Sequence, residues 1–338
     1  MTTVLTTTQR TRALLLLIVS ILFYKAVEVF ASRAAFLLAG SAWFDVVYES
    51  LRLVLLLAGF SLLVRLQLQP VERISPLGWA RTGETRLQIG MGTAVGWGIA
   101  VAVVSAIVLA GGLQIFFDFS AASWGAFFLA LLMTGLGAAV RQTIFAGFPF
   151  QKLTDAVGPW LATIATACFV GFTQTQDLQA GRIAIVTVIL LQVLFCIAAL
   201  RTGSLWLGWA LDVAVRLSLG AVFGLPVAGS GKYTSVILSN SRAPDWLSGG
   251  AYGPAGSLLA PLAVLVGIYV VVRVTRVDVI ANIRPGGIAL DLQPQHAPSF
   301  PAADPVPVKP AGGSLVQIVP VSAPPAGSGQ DPGDTSSS

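Results

Sequence analysis

Asp212 and Arg216 stand four residues apart in "RTGSLWLGWALDVAVRLSLG", a run otherwise apolar enough to lie in a lipid bilayer. An ionisable side chain in hydrocarbon costs at least about 2.5–3.5 kcal/mol on insertion scales, so such groups face a partner or a cavity. The i, i+4 spacing puts both on one helix face, with the acid N-terminal, the favourable order for an ion pair. Two other apolar runs carry polar groups, Arg141 with Gln142 in one and Thr173 in the other. Counted from the turns near 155–158 and 201, Arg141 lies about 21 Å deep, Thr173 about 22 Å, and Asp212 and Arg216 about 16 and 22 Å. The expectation is one polar level shared by three helices, with Arg141 completing a triad around the Asp212 carboxylate. Arg141, Asp212 and Arg216 are the candidate ligand-binding residues.

What this set lacks is a base. Proton transfer near neutral pH calls for a carboxylate or an imidazole. The single histidine, His296, lies in a polar tail, and all four glutamates (Glu28, Glu49, Glu72 and Glu84) precede residue 85. Arginines on both sides would hold Asp212 ionised and weaken it as a base. A zinc site takes three or four His, Cys or carboxylate ligands, so no metal and no cofactor is expected. Cys168 and Cys196 fall in separate apolar runs and read as inert packing thiols. Lys25 with Glu28, and Asp45, Glu49 and Arg52, are spaced for local ion pairs and read as structural. The loop "GLPVAGSGKYTS" comes close to a phosphate-binding loop. Pro226 replaces the first glycine, however, Tyr233 replaces the hydroxyl residue, and a helix precedes it instead of a strand.

The elements that must hold these residues are membrane helices. Of 338 residues 55% are apolar and 10% charged, with mean hydropathy +0.81, too little polar surface for a water-soluble globule. Spans of about 20 apolar residues suit a bilayer core. Eight are expected, near 13–31, 44–65, 88–111, 123–148, 157–173, 182–200, 203–223 and 255–276, with 35–43 an interfacial lead-in. Gly92, Gly96 and Ala100 form a small-residue ridge on the third, common in any helix bundle. A net charge of +5 gathered in loops gives nucleic-acid binding no support. Arg10, Arg12, Arg65, Arg73, Arg81, Arg86, Lys152, Arg201, Arg273, Arg276 and Arg284 fall on one side against Arg33, Arg182, Lys232 and Arg242 on the other, a bias that places both termini in the cytoplasm and the protein in the cell (inner) membrane. The first helix reads as an uncleaved span. The expected domains are a membrane domain over 1–284 and a Pro/Gly/Ser-rich disordered cytoplasmic tail over 285–338.

The phrases "RQTIFAGFPFQKL" (141–153), "FVGFT" (169–173) and "RTGSLWLGWALDVAVR" (201–216) resemble, in order and spacing, the motifs of the CPBP intramembrane endopeptidases, the CAAX-protease or Abi type. "ISPLGWARTGETR", before the third span, is similar to the family's flank as well. The resemblance covers about 120–225 and implies an all-α polytopic bundle with a CAAX-protease-like core. It also implies an intramembrane endopeptidase that activates water with glutamate and histidine, with or without a metal. Here the two glutamate positions are Arg141 and Gln142, the motif arginine is Ala146, and the two histidine positions are Thr173 and Asp212, with Arg216 in the last motif's final place. Phe145, Gly147 and Phe169 remain.

A family frame without its proton-handling residues implies a pseudoprotease that binds a membrane peptide, an anionic lipid or a partner protein through the old site. Several alternatives stay open. The ions can be a salt-bridged plug that satisfies an emptied cavity, or their excess positive charge can bind a phosphate or carboxylate. An active endopeptidase working through Asp212 is another reading, and a transporter is a third, although no inverted repeat is visible.

Overall fold

The computed structural model describes residues 7–39, 43–66, 77–110, 112–177, 180–227, 237–241 and 243–275. The expected tail over 285–338 lies outside them, as does most of the loop that follows Val227. In order, the helices are α1 (Thr7–Ala39), α2 (Phe44–Leu66), α3 (Thr85–Leu109), α4 (Ala121–Phe145), α5 (Phe148–Val157), α6 (Pro159–Gln174), α7 (Arg182–Thr202), α8 (Trp206–Leu217), α9 (Asp245–Ser248) and α10 (Leu259–Val274). Large apolar side chains such as Phe36, Leu37, Leu109 and Trp160 stay exposed around the bundle, as a bilayer-facing surface requires. The protein is an all-α, multi-pass membrane bundle.

Each expected span falls on a helix, but their lengths differ from the expectation. Five stretches are long and apolar enough to cross a bilayer among the described residues, with Ala121–Val157 counted as one; α10 is shorter. Residues 35–39 are no separate lead-in, because α1 runs through them to Ala39. The fourth expected span, 123–148, breaks after Phe145. A Cβ on Gly147 would sit 2.3 Å from the Thr143 carbonyl oxygen, so only glycine lets the chain turn this tightly. Pro149, in the first turn of α5, has no N–H to lose there. The seventh expected span begins later, at Trp206, and ends in a π-helical turn, Ser218–Val222.

Helix α8 sits at the centre, packed by α3, α4 and α7. The glycine ridge on α3 is what admits it. A Cβ on Gly92 would lie 2.4 Å from the Leu207 carbonyl oxygen, and one on Gly96 2.6 Å from that of Leu211. The two backbones therefore touch, and a single methyl would part them. Ile99, Val104, Leu194, Leu211 and Val264 fill the core that α8 shares with α3, α7 and α10. A second core joins Val27, Leu56, Phe60, Val140, Ile144 and Phe148 from α1, α2, α4 and α5.

One feature is not helical. β1 (Leu113–Phe117) pairs antiparallel with β2 (Ile237–Ser241), Ile115 opposite Ser239. This ribbon ties the α3–α4 connection to the segment before α9.

Candidate functional site

Two helices meet at the ion cluster. Arg141 of α4 donates from Nε to Asp212 Oδ2 at 2.9 Å, and Arg216 of α8 donates from Nε to Oδ1 at 2.7 Å. The Asp212 side chain is 3% exposed, while Arg141 and Arg216 keep 35% and 31% of theirs accessible. Both carboxylate oxygens thus accept from arginines whose side chains are partly exposed. The set carries one net positive charge.

Depth explains the meeting. Arg141 lies five residues before the break at Ala146, about 7.5 Å, and Asp212 six residues after α8 begins, about 9 Å. Arg141 and Asp212 thus stand at similar distances from neighbouring helix ends, which lets α4 and α8 bring them together. Thr173 does not join it. That residue is one position from the end of α6, exposed, and its hydroxyl donates to its own helix at the Val170 carbonyl, 2.7 Å away.

Gln142 and Ala146 are both buried at 2% exposure. Gln142 Oε1 faces Gly208 of α8, where an added Cβ would come within 2.7 Å of it, and accepts no hydrogen bond among the described residues. Arg141 Nη2 is likewise buried without a described partner.

The phrases around these positions cross-link the frame. Trp79 donates from its indole to Thr143 Oγ1 at 3.1 Å and packs edge-on against Trp206, their ring centroids 5.0 Å apart. Trp206 donates to the Ala80 carbonyl, Leu205 N to that of Gly78, and Trp209 to that of Gly135. Arg201 donates to Thr275 Oγ1 and to the carbonyls of Val272 and Thr275, satisfying the last turn of α10. Phe145 and Phe169 are in ring contact at 6.4 Å. So the aromatic and arginine residues of these phrases hold helices together, while Arg141, Asp212 and Arg216 form the ion cluster.

Sequence reasoning missed one participant. Glu49 and Arg52 of α2 do pair, at 2.9 Å, with Arg52 lying over the Tyr48 ring. But α2 packs on α4, through Leu56 and Phe60 against Val140 and Ile144. Glu49 also acts electrostatically on Arg141, and its Oε2 is buried without a described partner. The stripe is thus a neighbour of the site as well as a local ladder. The only signal for this was that a charged stripe midway along a span needs something to face. Cys168 is exposed rather than packed; Cys196 is buried and bonded to Gln192.

Zinc does not fit this arrangement. Among the described residues no three His, Cys, Asp or Glu side chains gather, and the Asp212 oxygens are already occupied by arginine donors.

Residues 121–218 match the family model described as type II CAAX prenyl endopeptidase, Rce1-like. The match begins at α4 and ends just past α8, so Arg141, Asp212 and Arg216 all fall inside it. No curated protein and no solved structure matches the chain.

Proposed function

We propose that this chain, a CAAX-protease-type membrane protein over residues 121–218, is a pseudoprotease that binds a lipid phosphate where its relatives would hydrolyse a peptide. The observation that carries the reading is the double occupation of Asp212: each oxygen accepts a hydrogen bond from an arginine. A carboxylate paired with two cations is held ionised and is a poor proton acceptor. The three side chains together carry one net positive charge, and those of Arg141 and Arg216 are about one-third exposed. Arginine forks match phosphate oxygens in pairs.

A lipid is favoured over a peptide by position. The site lies about 9 Å along α8 from Trp206, and Trp79, Trp206 and Trp209 cluster at that end as interfacial aromatics do. Headgroup phosphates are the anions a bilayer holds near that level, and arginines reach toward them. Both termini are placed in the cytoplasm, with the protein in the cell membrane, on the bias of loop arginines and lysines.

Purified protein in nanodiscs tests this. Phosphatidylglycerol added to a phosphatidylcholine disc is expected to bind wild type and to lose about tenfold or more in affinity in Arg141→Gln, one charge-assisted contact being worth about 1.5–3 kcal/mol. Equal binding by the two proteins contradicts the phosphate reading. Binding of a membrane peptide that anionic lipid fails to displace would shift the assignment to the peptide.

A further inference from the structure

The α3–α4 connection leaves two aromatic rings uncovered. Phe117 ends β1, and Phe119 follows two residues later, just before α4 begins at Ala121. They are 63% and 69% exposed, yet they stack on each other, with ring centroids 5.9 Å apart and planes 6° from parallel. The patch runs on into α4, where Trp124 and Phe128 are exposed and in ring contact at 6.4 Å. Only five residues separate Phe119 from Trp124, so the stacked pair continues the bilayer-facing surface of α4.

The root of the ribbon is fixed to the bundle. Gly112 N donates to the Ile107 carbonyl at 3.0 Å, and a Cβ on Gly112 would lie 2.4 Å from that of Ala243. Leu247 of α9 packs with Val103 and Ile107 at the end of α3, and its neighbour Trp246 is exposed. Polarity then limits where the rings can lie. Among the described residues the sheet has two strands, so β1 keeps an outer edge that faces no third strand. Such an edge is not tolerated against lipid tails. Asp118, exposed between the two rings, accepts from the Ser120 N–H at 3.0 Å and the Ser123 hydroxyl at 2.7 Å. The segment is thus too polar for hydrocarbon, while its stacked rings favour leaving water. The headgroup layer satisfies both demands, and amphipathic aromatic belts form there for the same reason.

We infer that the β1–β2 ribbon is an interfacial anchor, with the stacked rings of Phe117 and Phe119 inserted among lipid headgroups at the N-terminal end of α4. Its partner is the lipid surface itself. Asp118 and the outer edge of β1 stay hydrated at that level. The carboxylate disfavours anionic headgroups, so a zwitterionic surface suffices. The inference does not depend on the phosphate reading, because Arg141 lies 20 residues along α4 from Ala121, about 30 Å at the helical rise.

The test uses full-length protein in phosphatidylcholine nanodiscs, with Cys168→Ser removing the exposed thiol and Cys196 left buried. A bimane fluorophore is attached at Phe119→Cys and, in a second protein, at Phe117→Cys. Both rings are mostly exposed, so either replacement removes little packing, and each position decides should the other variant fail to fold. Three quenchers are compared: phosphatidylcholine with a nitroxide near the headgroup, the same lipid with the nitroxide near the chain end, and aqueous iodide. The headgroup-level nitroxide is expected to quench most strongly. Adding Phe117→Ser beside the label at residue 119 should weaken that quenching and raise quenching by iodide. Iodide as the strongest quencher of the singly labelled proteins puts the ribbon in water and overturns the inference. The chain-end nitroxide as the strongest puts it in hydrocarbon and overturns it as well. Quenching by none of the three means that protein, a second copy or another chain, covers the rings, which also overturns it. Quenching unchanged by Phe117→Ser shows that the rings do not anchor the ribbon.

Discussion

Replacing Asp212 by asparagine tests the ion cluster most sharply. The substitution keeps shape and removes the charge that two arginines share at 2.9 and 2.7 Å. With the carboxylate only 3% exposed, water does little to replace it. Two guanidinium groups are then left facing each other, and breaking a buried pair by removing one partner typically costs about 3–5 kcal/mol. Arg141→Met is the informative contrast, because it leaves Asp212 and Arg216 as a balanced i, i+4 pair. Its cost should be well under that of Asp212→Asn, on the order of 1–2 kcal/mol. At roughly 2–4 °C per kcal/mol for a domain of this size, Asp212→Asn should lower the melting temperature by about 6–20 °C. Tryptophan fluorescence during heating in detergent reads the change. The reasoning fails if Asp212→Asn melts within 2 °C of wild type, or if Arg141→Met is the more damaging of the two.

Gly96→Ala should separate α3 from α8, since its Cβ would start 2.6 Å from the Leu211 carbonyl oxygen; a loss of about 1–3 kcal/mol is expected in the same melting assay. Arg201→Ala should free the last turn of α10, where it now serves Val272 and Thr275, and faster amide exchange over 271–275 would report it. Asp118, in the exposed turn before α4, is held below the usual carboxylate range by the Ser123 hydroxyl first and then by the Ser120 backbone N–H. A lowered folded-state pKa means stabilisation that is present above the unfolded value and is lost as pH falls through the folded one. Ser123→Ala should therefore flatten the acid limb of a stability–pH profile, and an unchanged limb would dismiss the contact. Thr173→Ala should leave lipid binding unchanged.

The pairing of Asp212 with Arg216 was legible because i, i+4 spacing is a local fact. Arg141 could be placed beside them by counting helical rise. The same counting misplaced Thr173, because it assumed three straight spans of equal start. It could not see that Gly147 breaks α4, nor that α8 begins only at Trp206. The glycine ridge on α3 was visible as a pattern, but its partner was not, since which helix fills a groove depends on the tertiary fold. Glu49 was hidden for a related reason: its local partner Arg52 accounted for it. Tyr252, buried in the structure, gives no sequence signal at all, being a tyrosine in a glycine-rich loop. The β1–β2 ribbon joins segments more than a hundred residues apart, and "ILSNS" has no strand-like alternation to announce it.

On the function proposed above, the Asp212 carboxylate, held between Arg141 and Arg216, hydrolyses nothing. Incubating purified protein in nanodiscs with a prenylated CAAX-type peptide, with and without added zinc, and following products by mass spectrometry tests this directly. The account predicts intact peptide under both conditions. Site-specific cleavage that disappears in Asp212→Ala would contradict it.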